Sequence, residues 1–249
     1  MNPVDGYRQS CAPNQGNLMI EIILPSSVVS ADAFDDVLDG TLFPEEEAVI
    51  GRAVDKRRRE FTTARLCARK ALRMLGRAPV PILPGARGEP QWPAGVVGSI
   101  THCAGYRGAV LGEPEDVSAV GIDAEPNETL PNGVLAAIAL PKEQEEIHEL
   151  LRAHPGIHWD RLLFSAKESV YKAWFPLTNQ WLSFENALIT IDPLRGTFSA
   201  RLLVGGPQVH GRRLTGFSGR WLVSQGLILT AIVMPTPVFS ARSPRSRSA

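Results

Sequence analysis

Four groups of residues in this 249-residue chain have the types and spacing to do chemistry. The first is Gly121-Ile122-Asp123-Ala124-Glu125-Pro126. On a strand, residues i and i+2 share a face, so Asp123 and Glu125 project together while Ile122 and Ala124 turn to the core. Paired carboxylates repel unless a cation lies between them. A hard divalent ion such as Mg²⁺ takes one or two carboxylates and leaves its other positions to water and substrate phosphates. The same spacing also describes an amphipathic edge strand that shows two acids to water.

The second group is Phe164-Ser165-Ala166-Lys167-Glu168-Ser169-Val170-Tyr171-Lys172. On a helix Glu168 and Lys172 stack one turn apart, with Lys167 on the other flank of an aromatic stripe. A carboxylate between two ammonium groups suits a general base with anion clamps, but an ordinary i,i+4 helix pair has the same signature. The third group is an arginine-rich helix. Lys56, Arg57, Arg58 and Arg59 crowd its first turn, and Arg58, Arg65 and Arg69 lie along one side. Such a cluster attracts phosphate, or pairs with the acids at 45–47. The fourth is Gly98-Ser99-Ile100-Thr101-His102, whose histidine could equally sit satisfied at a core rim. Close by in sequence, Gly85-Ala86-Arg87-Gly88-Glu89-Pro90 is a glycine-rich loop holding one arginine.

The elements that must position these groups follow from periodicity. Helices are expected over 55–75, stopped by Gly76, and over 160–175, ended by Pro176. Strands are expected over 19–24, 96–102, 106–111, 117–124, 182–192, 198–204, 219–223 and 227–234. This order gives an α+β fold of two halves, 18–124 and 125–238. Disordered segments flank them, polar over 1–17 and basic over 239–249.

Composition narrows the function classes. Hydrophobic residues make up 44% and charged residues 21%, enough for a packed core. No apolar run reaches the ~20 residues of a membrane span, and the N-terminus does not read as a secretory signal. Cys11, Cys67 and Cys103 are odd in number and widely spaced, which argues for a reducing cytosol over a disulfide framework or zinc site. Lys+Arg and Asp+Glu are 26 each, so the basic excess of a nucleic-acid binder is absent. That neutrality is a cancellation of blocks: residues 52–77 carry +8 and residues 113–149 carry −9.

Taken in order, GARGEPQWP, GSITHC, VGIDAEP, HWDRLLFSAKESVYKAWFPLT and WLSFENALITI make the chain resemble the 4′-phosphopantetheinyl transferases of the larger, surfactin-synthetase-activating (Sfp) type. The similarity is to the actinobacterial branch related to the enterobactin synthetase D component, and it spans residues 18 to 238. It implies a fold of two pseudo-twofold-related α+β halves with coenzyme A in the cleft between them. Asp123, Glu125 and Glu168 would be the carboxylates for Mg²⁺, or Mn²⁺ in its place, and Glu168 the general base. Lys167 and Lys172 would contact the pyrophosphate or the entering serine. Ser99, Thr101 and His102 would lie at the coenzyme A phosphates, and Arg57, Arg65 and Arg87 near the 3′-phosphate end. One departure is Pro84, where relatives carry a lysine.

The resemblance further implies transfer of the 4′-phosphopantetheine arm to a serine of an apo acyl or peptidyl carrier protein, releasing adenosine 3′,5′-bisphosphate. The setting would be siderophore, polyketide, non-ribosomal peptide or lipid assembly, and the enzyme a cytoplasmic monomer. Two other classes use similar residues. One is a coenzyme A- or carrier-binding module without catalysis, against which the intact acid set speaks. The other is a Mg²⁺-dependent phosphodiesterase or nuclease, against which zero net charge and the lack of a second acidic motif speak.

Overall fold

The structure, a computed structural model, describes residues 19–37 and 39–237, so both expected terminal segments lie outside the described residues. The architecture is α+β, as expected. Strands β1 (Val28–Ala33), β2 (Val97–Cys103) and β3 (Tyr106–Gly112) form an antiparallel sheet in the order β1-β3-β2. Helix α1 (Pro44–Ile50) and helix α2 (Asp55–Met74) intervene between β1 and β2. The apolar side of α2, with Phe61, Ala64, Cys67, Ala68, Ala71 and Leu72 buried, packs on β3 and β1. It stops at Gly76, whose φ of +70° allows Arg77 N to reach back to Leu72 O at 2.9 Å.

Strand β4 (Val117–Pro126) opens the second layer. After it come α3 (Val134–Ile138), α4 (Pro141–Ala153) and α5 (Trp159–Thr178). Five further strands are β5 (Ala187–Asp192), β6 (Thr197–Leu202), a two-residue hairpin of β7 (Gln208–Val209) and β8 (Arg212–Arg213), and β9 (Gly216–Ser224). The last strand, β10 (Leu227–Pro235), pairs antiparallel with β4, giving a sheet in the order β4-β10-β9-β6-β5. Hydrogen bonding thus divides ahead of β4. Helix α5 lies on β4 and β10 through Leu162, Leu163, Ala166, Val170 and Ala173, all essentially inaccessible. Full burial of one such aliphatic side chain contributes about 1.5–3 kcal/mol.

Two expectations change. Residues 19–24 form a 3₁₀ turn, Ile20–Ile23, with Met19 N donating to Asp32 Oδ2 at 3.0 Å; a short apolar run does not distinguish strand from buried helical turn. Residues 182–192 are strand only from Ala187, after a 3₁₀ turn at Phe184–Asn186. Among the described residues no helix is long and apolar enough to cross a membrane.

The feature that matters most for the site is the seam between the sheets. β2 and β4 are both edge strands, and they lie side by side. The outward amides of β4 find side-chain hydroxyls: Ile122 N donates to Ser99 Oγ at 3.2 Å and Ala124 N to Thr101 Oγ1 at 3.0 Å. A buried amide left unpaired would cost about 1–3 kcal/mol.

Candidate active site

Helix α5 comes very close to β4 because of Gly121. A Cβ at that position would stand 2.1 Å from Ser169 O and 2.7 Å from Ala173 N, a contact that only glycine permits. The register of α5 on β10 is fixed by buried hydroxyls: Thr230 Oγ1 is 2.9 Å from Ser165 Oγ and 2.6 Å from Ser169 Oγ. The helix face so set carries Glu168 and Lys172 to Asp123. Lys172 Nζ donates to Asp123 Oδ1 at 2.7 Å and to Ile122 O at 3.0 Å. Thr101 Oγ1 donates to the same Oδ1 at 3.3 Å. Asp123 is 5% exposed, and its Oδ2 is buried with no hydrogen-bond partner among the described residues.

Glu125 accepts from Arg161 Nη1 at 2.9 Å, and Arg161 also holds the carbonyls of Glu128 and Thr129 at 3.1 Å each. Burial, and after it the Asp123 charge, raise the pKa of Glu125; the same two causes raise that of Glu168. Three carboxyls, two of them resisting ionisation because of burial and a shared neighbour, form one electrostatic unit. Arg161 was not singled out in the sequence. Its carboxylate partner is 36 residues away, and no local pattern marks it.

Two adjoining cavities lie beside this unit. One, of about 390 Å³, is lined by Arg87, Trp92, Ser99, Glu168, Tyr171 and Phe175 among others. The other, of about 320 Å³, is lined by Arg57, Phe61, Arg65, Pro84, Thr101 and His102 among others. Gly88, Pro90, Ile100 and Lys172 border both, so Lys172 stands where the two lobes meet. In the second lobe Arg57 Nη1 donates to His102 Nε2 at 2.8 Å, which requires the neutral imidazole with its proton on Nδ1. Although His102 remains open to solvent on one side, the protein around it and then Arg57 lower its pKa. Arg65 is buried, stacked 4.0 Å from the Phe61 ring centroid, with Nε on Ile82 O at 2.8 Å. Burial lowers its pKa to about 10, so it stays charged at neutral pH. Arg87 sits at an exposed turn clasped by a Pro84–Pro90 bridge, and Gly88 there has φ +86°. A larger cavity of about 650 Å³ lies between the 3₁₀ turn at Ile23 and strands β5, β6, β9 and β10, and none of the expected site residues lines it.

The structure separates Lys167 from the rest, which corrects the expectation that it contacts the pyrophosphate or the entering serine. Its side chain is 1% exposed; Nζ binds Glu143 Oε2 at 2.9 Å, Phe184 O at 2.7 Å and Ala187 O at 2.9 Å. Lys167 and Lys172 are five residues apart, about 140° around the helix, so they serve different faces. Of the arginine cluster, Arg58 pairs with Glu47 and Arg69 with Glu46, leaving Arg57 and Arg65 toward the cleft. Ser99 and Thr101 border the lobes, but their hydroxyls are occupied at the seam. The aromatic stripe also divides. Trp174 is core, while Tyr171 and Phe175 line the first lobe and exposed Trp181 packs tilted against Tyr171, ring centroids 4.9 Å apart.

Among the described residues no three His, Cys, Asp or Glu side chains stand as a ready-made metal ligand set; Lys172 and Arg161 hold two of the acids. The donor chemistry still fits a hard divalent cation. Asp123 Oδ2 is a buried acceptor without a donor, and Glu125 and Glu168 are carboxyls that an added positive charge would help ionise.

An α+β protein with three neighbouring carboxyls, a lysine that borders two adjoining lobes, and arginines and a histidine lining one of them has the layout of a group-transfer enzyme acting on a phosphorylated donor. Comparison with known proteins makes the class specific. Residues 45–112 match the family profile of the 4′-phosphopantetheinyl transferase N-terminal domain, and residues 119–221 that of the 4′-phosphopantetheinyl transferase superfamily. The chain is 55% identical to 4′-phosphopantetheinyl transferase Svp of Streptomyces mobaraensis, over 90% of this chain and 92% of that one. It is 51% identical to 4′-phosphopantetheinyl transferase PptT of Mycobacterium tuberculosis, over 87% and 98%. Enterobactin synthase component D of Salmonella typhi is 36% identical over about half of each chain, 48% and 49%. The chain belongs to the 4′-phosphopantetheinyl transferase family. It is an enzyme that transfers phosphopantetheine from coenzyme A to carrier proteins, in a family that is generally metal-dependent.

Proposed function

We propose that the transfer is carried out at the junction of the two lobes, by Asp123, Glu125 and Glu168 as the carboxylates for Mg²⁺ and by Lys172 beside them. The observation that carries this reading is that Lys172, which borders both lobes, holds Asp123 Oδ1 at 2.7 Å, with Glu168 lining the first lobe and Asp123 Oδ2 without a partner among the described residues. Mn²⁺ has the same oxygen-ligand chemistry and would substitute. Bound there, the ion neutralises negative charge on the pyrophosphate of coenzyme A.

The protein's own groups account for the rest. Arg57, Arg65 and His102 receive the 3′-phosphate end in the second lobe, with Arg87 at its rim. Tyr171, Phe175 and Trp92 give the pantetheine arm an apolar wall in the first. Glu168 takes the proton of the carrier serine as the serine oxygen bonds to the pantetheine-side phosphorus and the bridging P–O bond breaks. Such proton transfer contributes roughly 10²–10⁴-fold in rate. Lys172 meets the charge that grows on the departing adenosine 3′,5′-bisphosphate. The proposed partners are acyl, polyketide synthase and peptidyl carriers in a cytoplasmic setting, with the enzyme a monomer. Free Cys67 and Cys103 suit that reducing compartment. Siderophore assembly is among the pathways proposed, since enterobactin synthase component D is among the relatives.

The test is intact-mass detection of the phosphopantetheine increment on apo carriers incubated with enzyme, coenzyme A and Mg²⁺. The parent enzyme should modify at least one of a fatty-acid, a polyketide and a peptide-synthetase carrier. Asp123→Ala and Glu168→Gln should modify none while keeping native circular dichroism. Most of the activity surviving in both variants at saturating Mg²⁺ would remove these carboxylates from the chemistry.

A further inference from the structure

The seam between β2 and β4 contains two hydroxyl pegs that do different things. Ser99 Oγ accepts from Ile122 N and ends there. Thr101 Oγ1 accepts from Ala124 N at 3.0 Å, and its own proton is directed to Asp123 Oδ1 at 3.3 Å. Lys172 Nζ stands 3.5 Å from the same hydroxyl and 2.7 Å from the same carboxylate oxygen. Thr101 is 2% exposed, and its methyl-bearing, β-branched side chain has few rotamers to choose from. The backbone of β4 therefore fixes the Thr101 oxygen, and that oxygen fixes one edge of Asp123. With Oδ1 held by Thr101 and Lys172, the carboxylate is turned so that Oδ2, which has no partner, is the oxygen left to receive a cation.

We infer that Thr101 is a positioning residue for the metal site: it reaches across the seam from the N-terminal sheet and orients Asp123 of the C-terminal sheet for cation binding. This rests on the reading of Asp123 as a metal carboxylate. Groups that orient a ligating carboxylate in this way typically change metal affinity by about 10- to 100-fold when removed. The role differs from the phosphate contact expected from the sequence, because the hydroxyl proton that a phosphate would need is directed to Asp123 Oδ1.

The test measures metal binding apart from turnover, by titrating Mn²⁺ into enzyme plus coenzyme A and following the free-ion paramagnetic resonance signal. Thr101→Val keeps the shape and loses the hydroxyl; it should weaken Mn²⁺ by about tenfold or more. Thr101→Ser, which restores the hydroxyl, should bind within about threefold of the parent on the same scale. Ser99→Ala removes a seam peg that does not touch Asp123, and it should also leave Mn²⁺ affinity within that margin. Steady-state kinetics should show the Thr101→Val loss in the apparent KM for Mg²⁺ more than in the KM for coenzyme A. Parent-like Mn²⁺ binding by Thr101→Val, a loss in Ser99→Ala equal to that in Thr101→Val, or failure of Thr101→Ser to bind would each overturn the inference. If Thr101→Val does not fold, Thr101→Ala serves as the variant without the hydroxyl, with the same expected loss of Mn²⁺ affinity and the same overturning result. Asp123→Asn separates the two layers: if it binds Mn²⁺ as the parent does, the metal-site reading itself fails.

Discussion

Replacing Lys167 with alanine should damage folding and leave coenzyme A recognition intact. Its ammonium and the Glu143 carboxylate are both 1% exposed and 2.9 Å apart. Alanine would leave Glu143 buried with two backbone donors, Leu140 N and Ile189 N, each at 2.7 Å, but no countercharge. It would also take the ammonium from the carbonyls of Phe184 and Ala187. Breaking one side of a buried pair costs about 3–5 kcal/mol. At about 2–4 °C per kcal/mol for a chain of this size, the melting temperature should fall by about 6–20 °C. The double variant Glu143→Leu, Lys167→Met should recover part of that loss, because it removes the stranded charge. Recovery should be incomplete, since Glu143 also caps α4 and holds the Ile189 amide. The assay is thermal unfolding beside coenzyme A binding by calorimetry, below the transition of the weakest variant. An unchanged melting temperature with strongly weakened coenzyme A binding would refute the reasoning and return Lys167 to the pyrophosphate.

Gly121→Ala should lower the melting temperature and, in whatever folds, reduce transfer: a Cβ 2.1 Å from Ser169 O must push α5 away from Asp123. Unaltered unfolding and kinetics would show that the contact yields freely. Arg57→Ala should raise the KM for coenzyme A well above its effect on the carrier KM, with unfolding nearly unchanged, since Arg57 is about half exposed. Arg65→Ala should raise that KM and also lower stability, because it strips the Ile82 carbonyl and the Phe61 face; equal use of coenzyme A and dephospho-coenzyme A by the parent would contradict both. Burial, with Glu125 and Asp123 adding to it, pushes the Cys103 thiol up to about 12. A thiol reacts as its thiolate, so at pH 8 Cys103 should alkylate about 10³-fold more slowly than an ordinary thiol, and the rate should still climb tenfold per pH unit above pH 9. A rate that levels off near pH 9 would contradict the electrostatic picture.

The long helices and the strands carrying the acids were legible because their periods are strong and their stops are chemical: Gly76 for α2 and the turn before Tyr106 for the hairpin. Helices α1 and α4 were not legible. Each begins after an apolar N-cap, Phe43 or Leu140, with the cap's amide satisfied by Glu46 or Glu143 three residues on, so no Ser, Thr, Asp or Asn marks the start. Pro176 was read as a terminator, yet α5 continues to Thr178 and closes through Asn179 in the left-handed region. At the site, Asp123 with Glu125 and Glu168 with Lys172 were visible as spacings. What no spacing conveys is which helix face meets the sheet, and that decides between Lys172 and Lys167.

Charge blocks were a coarser guide than they looked. Three cations of the +8 block of residues 52–77 are paired within the protein: Arg58 on Glu47 and Arg77 on Glu113 at the surface, and Arg69 on Glu46 in the interior. What the cleft can offer a phosphate is the remainder whose pairing is incomplete. Arg65 has a carbonyl and an aromatic face but no carboxylate within ion-pair distance among the described residues. Arg57 has Glu60 only at 3.9 Å and a neutral imidazole at 2.8 Å. The same criterion applied to the −9 of residues 113–149 selects Asp123, whose second oxygen has no donor, over Glu143, whose two oxygens are both engaged. At Asp123 it is the unfinished pairing of Oδ2, rather than net charge, that favours a ligand, because a buried carboxylate oxygen without a donor stands to gain from an added cation.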